Sequence, residues 1–409
     1  MRSRKTIVLA TLLASTLLAS AGCQAASPAA DPPSTVATSP SPASPSASAP
    51  VTPPAPAPSL TPSPSPSADC VSRTLGRLSL AEQAGQLLMV GISVDAPSGL
   101  GDTVRRYNLG GVFLHGRSTH SAGRLRGDIA ALQKRSALPL LISLDQEGGN
   151  VQTLKGGDFP RLPTAEKLGA GPATTLRDTT RDSARRLAGI GVTVNLAPVA
   201  DTVPASIGED NPPIGYWHRQ FGSDSARVAA AVRTVVPASQ DAGVLTVLKH
   251  FPGLGRVRAN TDLSTKAVDA GTTVNDPYLE PFKAGIRAGS AGVMISSARY
   301  PRLDDDAIAA FSAPIVTGLL RDRLGYRGLI MSDDLGGAVA LSPVPPGQRA
   351  VRFVAAGGDL VLTIRPTDAA PMAGALIERA RQDAAFRARV TDAARHVLAA
   401  KERAGLLGC

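Results

Sequence analysis

Val247-Leu248-Lys249-His250-Phe251-Pro252-Gly253-Leu254-Gly255 is the stretch on which the reading of this chain turns. It continues an apolar, strand-like run that begins at Val244, and it breaks at Pro252 and Gly253, residues that force a turn. A Lys and a His stand where the run gives way to the loop. An isolated pair of this kind reads most simply as a Lys reaching for solvent and a His satisfied in the core. Similar strand ends elsewhere in the chain favour a site instead. In barrels and open parallel sheets, ligands gather at the carboxyl ends of the strands.

The run is one of eight. The others cover residues 87–91, 110–114, 138–144, 191–199, 292–296, 328–331 and 359–363. Amphipathic segments of helical period separate them, among them 121–135, 173–190, 224–243, 277–289 and 312–325. Residues 371–404 are long enough for one or two closing helices. Near-continuous apolar strands that alternate with helices predict a parallel sheet covered on both faces. Eight of them predict a single-domain (β/α)₈ barrel, with a doubly wound open sheet as the alternative. A composition of 43% hydrophobic residues with 3% aromatics, and Gly and Ala in abundance, fits an α/β protein better than an all-β one.

The strand ends carry a coherent set of polar groups. They read Asp145-Gln146-Glu147-Gly148-Gly149 after the third run, Asn195-Leu196-Ala197-Pro198-Val199-Ala200-Asp201 in the fourth and Lys249-His250 after the fifth. Ser296-Ser297-Ala298-Arg299-Tyr300 follows the sixth, Ser332-Asp333-Asp334 the seventh, and Thr363 and Arg365 mark the eighth. Taken singly, each is a helix cap or an ion pair. Together they place several carboxylates, a Lys and a His on one rim. Paired carboxylates with cationic donors suit glycoside chemistry, where one carboxylate attacks the anomeric carbon and others hold sugar hydroxyls. Five His without ligand spacing argue against a metal, and no cofactor is expected.

The first 22 residues have a charged start (Arg2, Arg4, Lys5), an apolar run over 7–18 and small residues before Cys23, the pattern of a signal peptide. The apolar run is too short for a membrane span. Ala21-Gly22-Cys23 resembles a lipobox, with Ser20 where Leu is preferred, which predicts a lipid on Cys23 and an exported protein held at the outer face of the cell membrane. Ordinary secretion is the alternative. Residues 23–69, rich in Ala, Pro, Ser and Thr, read as a disordered tether ahead of a 70–409 barrel. Cys70 and Cys409 then bracket the folded region and predict a disulfide. Net charge is +10, and loss of Arg2, Arg4 and Lys5 leaves +7, which suits an anionic wall or lipid surface. Nucleic acid is not expected, because no Lys/Arg run is interleaved with aromatics. A monomer is expected.

Lys249-His250-Phe251-Pro252-Gly253, Asp145-Gln146-Glu147-Gly148-Gly149 and Gly328-Leu329-Ile330-Met331-Ser332-Asp333-Asp334-Leu335 resemble family 3 glycoside hydrolases. The likeness is strongest to the single-domain β-N-acetylglucosaminidases of bacterial cell-wall turnover. The 195–201 stretch, Arg219-Gln220-Phe221-Gly222-Ser223-Asp224 and Ala356-Gly357-Gly358-Asp359 extend it over residues 74–400. The resemblance implies Asp333 as nucleophile, Asp145 as a ligand of sugar hydroxyls, and Arg219, Lys249 and His250 around the amino sugar. It implies retaining hydrolysis of a β-linked amino sugar from cell-wall fragments. The chain departs from the family at Leu254, where the family reads His, and at Asn150 and Thr153, where it usually reads Arg. The departure that bears on chemistry is Asn260-Thr261-Asp262, where the family reads Asp-Ser-His and the His is the acid/base. Asp262 is the carboxyl that remains there, either as the acid/base, swung in on a flexible 255–259 segment, or as a solvated loop charge. The competing expectation is a degenerate member that binds glycan or a partner protein at the membrane without turnover.

Overall fold

The computed structural model describes residues 66–408. The expected signal peptide, the lipidation at Cys23, most of the tether and Cys409 lie outside the described residues. Eight parallel strands close into a barrel: β1 Leu88–Ser93, β2 Gly111–His115, β3 Leu141–Leu144, β4 Val194–Asn195, β5 Leu245–Phe251, β6 Gly292–Ile295, β7 Leu329–Asp334 and β8 Leu360–Thr363. Each strand pairs with its neighbours in sequence, and β8 closes on β1 with Leu88 opposite Val361. All eight expected runs supply a barrel strand. β4 is far shorter than the run over 191–199, because Pro198 has no N–H for a ladder and the chain turns away into a loop.

Strand pleating sorts the core into two shells. Met89, Phe113, Leu141, Val247 and Met331 fill the barrel interior, while Leu88, Val90, Val112 and Leu248 face the surrounding helices. The final helix, Ala384–Arg403, brings Val397 and Ala400 into the inner cluster and so floors the barrel. Each fully buried Leu, Val or Phe contributes on the order of 1.5–3 kcal/mol.

Three expectations need correction. The first helix, Pro66–Gly76, begins inside the expected tether, because Pro66 needs no N–H partner in a first helical turn. The helix expected over 312–325 winds as a π-helix, Pro314–Arg323, for which the apolar pattern carries no signal. The helix expected over 277–289 splits into a 3₁₀ turn, Pro277–Leu279, and a helix, Glu280–Arg287. Cys70 is buried in the first helix and disulfide-bonded; its expected partner, Cys409, is outside the described residues.

Candidate active site

The C-terminal ends of the strands surround an open cleft of about 530 Å³, within the usual size range of small-ligand sites. Asp145, Arg219, Lys249, His250, Asp262 and Asp333 all line it. The structure therefore brings these six together, whereas the strand-end groups Ser296, Ser297, Arg299, Tyr300, Thr363 and Arg365 do not line the cleft.

One wall is built from β3, β5 and the segment around Arg219. Beyond β3, a small hairpin of Gln146–Gly148 against Val151–Gln152 turns on Gly148 and Gly149, both at positive φ that favours glycine. Asp145, just before it, lines the cleft, and Glu147 within it has a buried side chain. In β5 a bulge between Leu248 and Phe251 breaks the pleat, so Lys249 and His250 both reach the cleft. Lys249 Nζ lies 2.6 Å from Asp145 Oδ1 and 2.6 Å from Glu147 Oε1. Arg219 forks onto Glu147, Nε to Oε2 at 2.8 Å and Nη2 to Oε1 at 2.7 Å. Burial pushes the Glu147 carboxyl up, but the charges and hydrogen bonds of Arg219 and Lys249 outweigh it and hold the group at about 2. Burial likewise pulls Lys249 down, and Asp145 and Glu147 reverse that and raise it above its ordinary value.

His250 is held from behind. Asp201, fully buried, accepts Nδ1–H of His250 at 2.7 Å and the backbone N–H groups of His250 and Leu254 at 3.2 and 2.7 Å. That acceptor assigns the tautomer and turns Nε2 toward the cleft, 3.5 Å from Arg219 Nη2. Leu254 is buried and contributes backbone groups to this scaffold.

The opposite wall is acidic. Pleating predicts that one of Asp333 and Asp334 faces the cleft, yet both line it, because the ladder shifts register between Met331 and Asp334. Their roles differ by valence. Asp334 accepts the backbone N–H groups of Ile364, Gly336 and Gly337 at 2.9, 2.8 and 2.8 Å, which ties the end of β7 to that of β8. Burial still raises its carboxyl, with help from Asp333. Asp333 accepts the Asp334 backbone N–H at 2.8 Å and opens into the cleft.

Asp262 completes this wall from the loop after β5. The expected flexible segment before it is packed: a Cβ at Gly255 would meet the Thr202 carbonyl oxygen at 1.8 Å, and Val257 is buried. Buried Asn211 donates to the Leu254 and Val257 carbonyls at 2.8 and 2.7 Å and accepts the Ile214 and Gly215 N–H groups at 3.0 and 2.9 Å. Further along, Ala340 donates its N–H to the Thr261 carbonyl at 3.1 Å and Val339 to that of Asp262 at 3.3 Å. Arg256 clamps the loop's far side through Asp276, at 2.7 and 3.0 Å. Asp262 remains open to solvent, yet the surrounding protein, then the charges of Asp333 and Asp334, push its carboxyl up to about 6.

Sequence reasoning passed over Glu147, Asp201, Asn211 and Trp217. Glu147 and Asp201 stand inside quoted motifs, but their partners lie 72 and 49 residues away. Trp217 did carry a signal, as the single Trp of the chain.

Comparison with known proteins identifies the family. Residues 79–400 match the family model described as Glycosyl hydrolase family 3 N terminal domain. A Beta-hexosaminidase of Nitrosomonas eutropha is 34% identical over 64% of this chain and 75% of its own length. Beta-hexosaminidase LpqI of Mycobacterium tuberculosis is 33% identical over 70% of this chain and 74% of its own. Among solved structures, Beta-N-acetylhexosaminidase from Beutenbergia cavernae superposes with a TM-score of 0.77 at 42% identity, over 80% of this chain and 99% of that one.

Proposed function

The chain belongs to glycosyl hydrolase family 3, and we propose that its cleft hydrolyses β-linked N-acetylglucosaminides with retention, through a covalent intermediate on Asp333. The observation that carries this is the pairing of an open carboxylate, Asp333, with a second carboxyl, Asp262, raised to about 6 on the same wall. In the first step Asp333 attacks C1, the glycosidic C1–O bond breaks, and the leaving oxygen takes the proton of Asp262. In the second, Asp262 removes a proton from water, the water oxygen bonds to C1, and the Asp333 ester bond breaks. The cationic wall supports the binding half of the reading. Asp145 is partly open to the cleft with one oxygen on Lys249, which orients the other for sugar hydroxyls. Arg219 and His250 line the same cleft as Lys249, which supports the part around the amino sugar that the resemblance implies for all three.

The competing reading is a binding protein without turnover. Its support is the loss of the family's imidazole at the Asn260-Thr261-Asp262 loop. Against it stands the raised Asp262, since a carboxyl poised near neutrality is what general acid catalysis needs. Incubation with N,N′-diacetylchitobiose and with dinitrophenyl β-N-acetylglucosaminide decides between them. Cleavage of both, with the β-anomer released first, supports the enzyme. Sugar binding without cleavage of either supports the second reading.

The same proposal includes export and lipidation at Cys23, which would hold the enzyme beside wall fragments. Exchange of Cys23→Ala then releases the protein into the medium, and unchanged membrane association counts against the anchor.

A further inference from the structure

An indole stands at the mouth of the cleft, and the chemistry described above does not use it. Trp217 is the single Trp of the chain, and it lines the cleft together with Pro213, Arg219, Asp262 and Asp333. It is 41% exposed, and the neighbouring Tyr216 is 57% exposed. The two rings meet edge to face, with centroids 4.9 Å apart and planes at 87°. The other aromatic ring of a Phe, Tyr or Trp along the cleft, Phe113, is buried in the barrel interior. Exposed large aromatics side by side are unfavourable in water and mark a surface that something covers.

The turn under these rings is built rather than loose. Asn211 accepts the Ile214 and Gly215 N–H groups, and the Trp217 N–H bonds to the Ile214 carbonyl at 3.2 Å. His218 follows at a φ of 54°, and its Nδ1 lies 2.8 Å from Glu166 Oε2. Two residues after Trp217, Arg219 is half-buried in the cationic wall. One short segment therefore delivers a half-buried cation to the wall and an exposed ring to the mouth.

We propose that Trp217, braced by Tyr216, is the platform for the leaving-group sugar, stacking the apolar face of its pyranose ring and selecting glycosides whose aglycone is a second sugar. This rests on the reading of the cleft as a β-N-acetylglucosaminidase site. The scissile oxygen must lie beside Asp333 and Asp262, so a leaving sugar extends from there toward the mouth that Trp217 lines. A pyranose offers one face of C–H groups with its hydroxyls at the edge. Stacking on an exposed indole buries that face and leaves the hydroxyls wet.

The test compares N,N′-diacetylchitobiose with β-N-acetylglucosaminyl fluoride, whose leaving group has no ring. In Trp217→Ala the ratio of kcat/KM for the disaccharide over the fluoride falls roughly 2- to 10-fold, and Trp217→Phe recovers part of it. A second arm uses Asp333→Asn protein, in which Trp217 is the reporter of all indole fluorescence. N,N′-diacetylchitobiose shifts the emission, and N-acetylglucosamine, bound at matched occupancy by calorimetry, shifts it less. An unchanged ratio in Trp217→Ala, or equal emission shifts from the two sugars, overturns the platform while leaving the glycosidase intact. If wild type cleaves neither substrate and binds neither sugar, the glycosidase reading falls and the platform falls with it.

Discussion

The two ends of the barrel hold the same ingredients in different states. At the carboxyl end, Glu147 sits between Lys249 and Arg219 with His250 beside them. At the amino end, Asp359 sits between Arg321 and Arg389 with His396 Nδ1 at 3.0 Å. Both carboxylates are held below the ordinary range, because the cations and hydrogen bonds around each outweigh its burial. Yet the Asp359 cluster turns its bonds to the scaffold rather than to open volume, although Arg389 Nε stays buried and unbonded. Asp359 accepts the Ile330 N–H, while Arg321 bonds the Gly328 carbonyl and Arg389 the Gly358 carbonyl. The Glu147 cluster keeps valence to spare, since Lys249 shares Asp145 with the cleft and His250 turns Nε2 into it. A buried charge network is thus no sign of a site; unspent hydrogen-bonding capacity beside open volume is.

The sharpest contrast lies in activity. Asp333→Asn is expected to lower kcat on the order of 10⁴–10⁶-fold for every β-N-acetylglucosaminide, as loss of a covalent nucleophile does. Thermal unfolding should barely move, because Asp333 opens into the cleft. A variant that retains a tenth of wild-type turnover would move the nucleophile elsewhere.

Asp262→Asn comes next, at about 10²–10⁴-fold in kcat/KM on the disaccharide and much less in kcat/KM on dinitrophenyl glycosides, which need no acid in the first step. The acid must be protonated, so kcat/KM should decline as pH rises through about 6, and that limb should vanish in the variant. Equal losses on both substrates would show that Asp262 serves as something other than the acid. The same shift bears on folding. A folded-state value near 6, above an ordinary carboxylate near about 4, means that the folded protein holds the extra proton between them. Asp262 therefore contributes stability that is fully present below about pH 4 and lost as pH rises through about 6. Asp262→Asn should flatten that part of a urea-midpoint profile.

The two buried networks separate on stability against function. Asp359→Asn removes the carboxylate that Arg321 and Arg389 share, leaving Arg389 only Asp392, and should cost about 3–5 kcal/mol, read from urea unfolding, with KM unchanged in the folded fraction. Glu147→Gln should cost a similar amount and also raise KM, because Lys249 and Arg219 lose their positions. If Asp359→Asn raised KM as much as Glu147→Gln, the two ends would not divide into scaffold and site.

Much of this was written locally in the chain. Eight apolar runs punctuated by Gly and Pro encode the strands, and the polar residues that end them encode the rim, because a strand end is defined by its immediate neighbours. What eluded local reading depends on distant partners. Glu147 gains its meaning from Arg219, Asp201 from His250, and Asn211 from Leu254 and Val257. The two bulges that aim Lys249 with His250, and Asp333 with Asp334, break the period-two rule on which strand reading relies. The π-helix has the apolar pattern of an ordinary one.

The loop that carries Asp262 has a kinetic implication. Asn211, Arg256 and two backbone bonds hold it in place before any sugar arrives. For Asp262 as the proposed acid, the entropy of ordering it is then settled during folding rather than during each turnover. Such an enzyme has no lid stroke to wait for, in contrast to those whose loop closure sets the rate. Its turnover of activated substrates should then be insensitive to added sucrose or glycerol viscosity, and Asn211→Ala should introduce the very viscosity dependence that the wild type lacks.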